Sequence, residues 1–239
     1  MQKTENPADT AGRIGYRHPV LFEELIDVVD PEPHSAALNM AIDEILLTGA
    51  VAPILRVYRW SRPAVSFGYF SKYAEVASQW PQRDPVRRWT GGGIVLHGDD
   101  LTYSILVPRT HLSFLRSSIE VYGAVHEAMR RALETNRITA TLAERPIPKV
   151  SEDCFANAVR ADVLIGDRKI AGAAHRRSRF GLLHQGSIQT PDLPEKFRED
   201  FARNLCERFE KKAIEAGLLE RAEQIAAAKY GTDAWLKRR

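Results

Sequence analysis

Residues 87–107, RRWTGGGIVLHGDDLTYSILV, restrict the fold of this chain more than any other stretch. Three consecutive glycines, Gly91, Gly92 and Gly93, let the backbone reach conformations closed to other residues and present bare N–H groups at close range. Amides held in such a turn form a concave anion cradle. Arg87 and Arg88 stand just before it as fixed charges suited to a carboxylate or a phosphate. A flexible linker would have no reason to return through His97 and Asp99-Asp100 to the apolar run 101–107, so the loop reads as pinned between strands. Taken alone, the glycines also suit an ordinary turn with exposed arginines.

The rest of the chain supplies short strands and a few helices. Residues 20–27 read as a strand. Ser35 then caps a helix whose Leu38, Ile42, Ile45 and Leu46 recur at helical spacing, and Gly49 ends it. Residues 54–60 and 63–69 read as two strands joined by a tight Ser61-Arg62 turn, and a helix follows that Pro81 stops. Strands flank the glycine loop at 86–89 and 94–97, with another at 102–107. Residues 117–133 form an amphipathic helix with Ile119, Tyr122, Val125, Met129 and Leu133 on one face and His126 at the surface or partly packed. A hairpin over 160–174 turns at Gly166-Asp167, and a last strand covers 182–189. The C-terminal fifty residues read as helices, Cys206 among them. This interleaving predicts an α+β domain with a mixed or largely antiparallel sheet.

At 239 residues the chain is long enough to bury a sizeable core, and 44% hydrophobic with 27% charged residues is ordinary for a globular protein. A net charge of +3 is too small to imply nucleic acid. Arginines cluster at 87–88 and at Arg176, Arg177 and Arg179, as a basic site or as solvated surface. Two cysteines make no disulfide framework. No signal peptide or membrane span is visible, so the expected location is cytoplasmic with reduced thiols. Residues 1–15 read as a disordered N-terminus and 16–239 as one domain. No zinc-type spacing, Walker loop or G-x-S-x-G elbow occurs.

Two further stretches carry chemistry. In DVLIGDRKIAGAA, from Asp162 to Ala174, Lys169 opens an apolar strand after a polar turn, and the small residues behind it, Gly172 and Ala174 included, allow close approach of a ligand. An ordinary hairpin with an exposed lysine fits the same spacing. In SEDCFANAV, Cys154 sits in polar, loop-like sequence, which leaves a reactive thiol open beside a small buried residue.

Together these pieces resemble the lipoate–protein ligase and octanoyltransferase family, which shares its catalytic fold with the biotin ligases. ALNMAIDEILL resembles its first helix and PILRVYRWSRPAVSFGYF its paired strands. RRWTGGGIVLHGDDLTYSILVP is similar to its RRxTGGGxVxH signature. DVLIGDRKIAGAAHRR and GLLHQGSI resemble its lysine strand and the next one, and KYGTDAW its closing motif. The resemblance spans about residues 35–235. It implies a class II synthetase-like fold, a central mixed sheet flanked by helices with a smaller second sheet; with the chain stopping near Trp235, no C-terminal accessory domain of the kind many ligases carry is expected. It also implies joining an octanoyl or lipoyl group to one lysine of a lipoyl domain, of the glycine cleavage H protein or 2-oxoacid dehydrogenase E2 type. Arg87, Gly91–Gly93 and His97 would line the pocket around the acyl carbonyl. Lys169 would stabilise charge in the transition state, and Asp162 matches a position that helps bind nucleotide or metal. Val65, Phe67, Tyr69, Ile94 and Leu96 are candidates for the lining of an acyl tunnel.

Two mechanisms follow from the resemblance. In the transferase branch Cys154-Phe155 stands where a cysteine takes octanoate from acyl carrier protein as a thioester and needs no ATP. In the ligase branch ATP and Mg2+ activate free lipoate as an adenylate. The unbroken GGG favours the ligase, since the cysteine-dependent transferases more often read GGR there, while the absence of an accessory domain favours the transferase. His184-Gln185-Gly186 departs from the commoner QHG or HHG. The transferase is the leading reading. A non-catalytic homologue that binds lipoyl domains is a third, opposed by the intact Lys169 and glycine motif. A biotin ligase lacks its expected GRGRxGR loop here.

Overall fold

Ser35 and Ser117 start the two helices that apolar spacing predicts. The Ser35 side chain accepts from the Leu38 amide. Ser117 and Glu120 exchange side-chain and backbone bonds in a full capping box. The computed structural model describes residues 19–146, 155, 157–190 and 193–238. The expectation for residues 1–15, and Cys154 itself, lie outside the described residues.

In chain order the elements are β1 (Phe22–Val29), α1 (Ala36–Thr48), β2 (Ile54–Tyr58), β3 (Ala64–Phe67), α2 (Tyr73–Gln79), β4 (Asp84–Arg87), β5 (Ile94–His97) and β6 (Leu101–Pro108). Then come α3 (Ser118–Thr135), β7 (Thr141–Leu142), β8 (Val163–Ile165), β9 (Arg168–Arg177), β10 (Gly181–Ile188), α4 (Phe197–Leu205), β11 (Cys206–Ala213), α5 (Ala216–Ile225) and α6 (Asp233–Leu236). The large sheet runs β11-β1-β2-β6-β10-β9-β8-β7 and the small one β4-β3-β5. β1 is parallel to both β2 and β11, whereas the pairs from β2 to β7 are antiparallel. The sheet is therefore mixed.

Strand alternation divides the core. On β6, Tyr103, Ile105 and Val107 meet Val125 and Met129 of α3 and Phe201 of α4, while Leu106 faces Ile42 of α1 and Ala222 of α5. Helices thus cover both faces of the large sheet. Val65, Phe67 and Ile94 of the small sheet pack with Val76 of α2 and Leu236 of α6 in a third cluster. Among the described residues no helix is long and apolar enough to cross a membrane.

Three local expectations are corrected. β2 and β3 are not a hairpin: β2 lies inside the large sheet and β3 at the centre of the small one. Trp60 bridges to His34 instead, and Pro63 has no amide to give a ladder. Cys206 opens strand β11 rather than lying on a helix. CERFEKKA carries the charges that keep an edge strand from pairing further, and those charges hide its strand character in sequence. Ile119 is 73% exposed, so the buried stripe of α3 begins at Val121 and Tyr122.

Candidate active site

A cavity of about 450 Å³ opens between the free face of the small sheet and the β6-β10-β9 part of the large one. That volume is in the range that encloses a small ligand. Met40, Tyr58, Trp60 and Val95 give it an apolar floor. Gly92, Gly93 and Arg88 border one side, and Lys169, Gly172, Ala173 and Ala174 the other.

The two adjacent arginines separate. Arg88, not Arg87, lines the cavity: its Nη1 donates to Ser66 Oγ (2.7 Å), and Nη2 to the carbonyls of Gly91 (3.0 Å) and Gly93 (2.8 Å). It thereby sets the curvature of the glycine loop. Arg87 sits on the opposite face, 1% exposed. There it donates to the carbonyls of Tyr69, Ser71, Trp235 and Leu236, and the Trp235 indole donates back to its own carbonyl. Successive strand residues point to opposite faces, so only one of the pair can reach the cavity. Arg87 is corrected from a pocket residue to a clasp that ties the C-terminal DAW segment to the small sheet.

Of the three glycines, only Gly92 takes a left-handed conformation (φ +86°). It packs against Gly68, where an added Cβ would fall 2.0 Å from the Gly92 carbonyl oxygen. Gly92 and Gly93 line the cavity, and Gly91 contributes its carbonyl to Arg88 from outside the lining.

His97 reaches the cavity as expected, with partners the sequence did not reveal. Its Nε2 lies 2.6 Å from Ser66 Oγ and its Nδ1 2.8 Å from Asp100 Oδ2, and the Trp60 ring stacks on it with centroids 4.0 Å apart. Burial pushes the Asp100 carboxyl up, but the His97 charge and hydrogen bonds from His97, Ser187 and Gly98 outweigh it and leave the pKa below the usual carboxylate value.

On the opposite wall Lys169 Nζ pairs with Asp162 Oδ2 at 2.8 Å and lies 5.3 Å from the Phe155 ring centroid. The β8–β9 register shifts beside Val163/Leu164, and such an irregularity re-aims side chains. A Cβ on Gly172 would fall 2.5 Å from Lys169 Cε, so this glycine is what lets the lysine stem fold back over β9. Asp162 is fully buried and outside the cavity lining. It also accepts from the Tyr122 hydroxyl and the Val159 amide, which makes it an anchor for Lys169 rather than a pocket residue. Beneath Tyr122, His126 is completely buried, correcting its surface assignment; its Nδ1 donates to the Ala161 carbonyl and burial pushes its pKa down to about 4.

The tunnel candidates are a correction of parity. Val65, Phe67 and Ile94 are in the core cluster behind the small sheet with Leu96 packed on it, and Tyr69 packs elsewhere. Their neighbours Ser66, Val95 and His97 face the cavity. The second arginine cluster is also used structurally, with Arg176 held over Tyr69 and Trp89 and Arg177 bonded to the carbonyls of Phe114 and Arg116.

A buried chain missed in sequence supports the floor. Thr90 donates to Gln185 Oε1, Gln185 donates to Asp43, and Asp43 pairs with the fully buried Arg56, which also holds Asp30 and Asn39. Asn39 and Asp43, one turn apart on the apolar face of α1, were the available signal.

A family model described as the lipoyl protein ligase A/B catalytic domain matches residues 35–222. An octanoyltransferase LipM of Oceanobacillus iheyensis is 38% identical over 165 residues, covering 65% of this chain and 60% of that relative. One of an Exiguobacterium species is 33% identical over 204 residues, covering 76% of this chain and 71% of the relative. Among solved structures, a lipoate protein ligase of T. acidophilum with bound lipoic acid superposes with TM-score 0.72 at 21% identity, over 90% of this chain and 99% of that one. That likeness confirms the expected fold. The match of the family model over most of the chain, together with these relatives, places the protein in the lipoyl protein ligase A/B catalytic domain family.

Proposed function

We propose that this protein attaches an octanoyl or lipoyl group to the ε-amine of a lysine on lipoyl-domain proteins, taking octanoate from acyl carrier protein through a thioester on Cys154. The observation that carries the mechanism is Phe155: it lines the cavity next to Lys169, and the residue before it in the chain is Cys154. In the first step the Cys154 thiolate attacks the donor thioester carbonyl, the C–S bond to the carrier breaks and the carrier sulfur leaves as a thiolate. In the second the acceptor amine attacks the Cys154 thioester, an amide forms, and the amine's proton leaves with the released thiol. Splitting the transfer this way needs no ATP. Lys169, beside the reacting carbonyl, would stabilise the oxyanion of both steps and favour the thiolate. Met40, Tyr58, Trp60 and Val95 would hold the acyl tail, and Arg88 with the amides of the glycine loop would hold its polar end.

The complete GGG loop beside Arg88 supports a second reading, an ATP-dependent ligase in which that cradle holds the phosphate of an acyl-adenylate. Intact-protein mass spectrometry of an apo lipoyl domain separates the two. One reaction contains octanoyl-acyl carrier protein, the other octanoate or lipoate with ATP and Mg2+. The expected result is modification in the first alone, abolished by Cys154→Ser. Modification in the second alone, indifferent to Cys154→Ser, makes the protein a ligase.

A further inference from the structure

Ser66, His97 and Asp100 form a line that the transfer through Cys154 and Lys169 does not use. Ser66 and His97 both border the cavity. Asp100 receives His97 Nδ1 (2.8 Å), Ser187 Oγ (2.6 Å) and Thr102 Oγ1 (3.0 Å) on Oδ2, and the Gly98 amide (3.1 Å) on Oδ1. An ionised carboxylate can only accept, so the Nδ1 proton belongs to His97. When Nε2 carries no proton, its lone pair lies 2.6 Å from Ser66 Oγ and the hydroxyl donates to it. Stacking on Trp60 fixes the ring plane. Hydroxyl, imidazole and orienting carboxylate are thus in the relation by which a serine is activated, which is recognised by geometry rather than by sequence order. Arg88 Nη1 donates to the same Ser66 oxygen at 2.7 Å, so the charge that grows there as the proton departs meets a guanidinium.

We propose that Ser66 is a second nucleophile in this cavity, with His97 as its base and Asp100 as the orienting group, and that it discharges medium-chain acyl thioesters to water. The inference rests on the acyl-binding reading of the cavity. Ser66 Oγ attacks the thioester carbonyl while its proton passes to His97 Nε2. The C–S bond breaks, the proton goes to the departing sulfur, and an ester remains on Ser66. Water, deprotonated by His97, then attacks that ester, releases the fatty acid and returns the proton to Ser66. No oxidant or nucleotide enters. Such a route would remove acyl groups that reach the cavity without an acceptor lysine.

The test uses the full chain carrying Cys154→Ala, so that the thiol route is closed, no new hydroxyl is introduced and the serine line is intact. It is treated with an octyl fluorophosphonate, which loses fluoride to an activated serine, and separately with the octanoyl thioester of N-acetylcysteamine. The expected results are phosphonate on the peptide containing Ser66, hydrolysis of the thioester, and a fall of about a hundredfold in both on His97→Gln. Phosphonylation no faster than in denatured protein, or label on another serine, overturns the proposal without any Ser66 variant having to fold. Hydrolysis that persists in Ser66→Ala overturns it as well. Octanoylation of a lipoyl domain by the unsubstituted protein is measured alongside. Acylation without Ser66 labelling removes the serine route and leaves the transferase, whereas labelling without acylation removes the transferase and leaves the serine chemistry.

Discussion

Arg88 on the small-sheet wall and Lys169 on the large-sheet wall face one cavity but are held by different means. Arg88 donates to the Ser66 hydroxyl and to two carbonyls of the glycine loop, and so shapes the backbone around it. Lys169 is paired at 2.8 Å with a carboxylate that is itself buried and fixed by Tyr122 and Val159. On one wall the cation organises the backbone; on the other a buried anion organises the cation. Each arrangement matches its side chain: a planar fork can hold several carbonyls at once, whereas an ammonium on a flexible stem needs an anchor to stay in place.

The comparison breaks most visibly at Lys169. Removing one preorganised donor from a developing oxyanion costs about 10²–10³ in rate. Lys169→Ala should therefore lower kcat for lysine acylation by about that factor. Asp162→Asn tests the anchor: it should lower kcat less, by about tenfold, but destabilise the fold by about 3 kcal/mol, because it disturbs a buried pair one partner at a time. Steady-state kinetics with urea denaturation on both variants decide it. Equal kcat losses would mean that Asp162 acts on substrate directly and is not an anchor.

The next largest effect separates the two arginines. Arg87→Lys removes most of a fork that satisfies four backbone carbonyls, at a cost of about 2–3 kcal/mol in unfolding free energy. Arg88→Lys should cost about 1 kcal/mol and act chiefly on KM for the acyl donor, since the loop it shapes borders the cavity. Urea midpoints that fall equally would show that Arg88 is as structural as its neighbour.

How much of this was legible in sequence follows the same division. The order of motifs carried the resemblance that implied the fold, and Lys169, Gly92, His97, Gly172 and Ala174, singled out by that resemblance or by the small residues after the lysine, all line the cavity. What was lost was parity. Reading Val65, Phe67, Ile94 and Leu96 as lining and Arg87 as a pocket cation assigned each short strand to the wrong face, and a one-residue slip inverts every side chain. A four-residue strand apolar on both faces carries no alternation to correct that error. Buried polar chemistry was the second loss. His97 and Asp100 are three residues apart, but Ser66 joins His97, and Arg56 joins Asp43, only when separate elements meet, so no local window shows those pairs.

A smaller prediction concerns pH and the lysine wall. His126 lies under Tyr122, and burial lowers its pKa from 6.5 to about 4. Between those values the unfolded chain binds the proton and the folded chain does not. Stability is therefore complete above about pH 6.5 and declines as the pH falls towards about 4. At 1.4 kcal/mol per unit, His126 should account for about 2 kcal/mol of the loss between pH 7.5 and pH 5. Urea denaturation at both values, repeated on His126→Gln, measures it. An unchanged pH dependence in the variant would assign the loss to other groups.

The smallest effect lies within the glycine loop and sharpens the account of the arginine wall. If Arg88 rather than the glycines sets the curvature, only the glycine with a left-handed backbone should resist a side chain. At Gly92, φ is +86° and a Cβ would stand 3.3 Å from Arg88 Nη2. Gly92→Ala should cost about 1–3 kcal/mol and raise KM, because strain and displacement of the guanidinium act together. A Cβ on Gly91 meets nothing within 4 Å, and its backbone lies outside the left-handed region. Gly91→Ala should therefore be neutral or stabilise by about 0.5 kcal/mol through the unfolded chain, with kinetics unchanged. Equal losses at both positions would mean that the loop needs three flexible residues to admit its ligand, and that the curvature seen here is one of several the arginine permits.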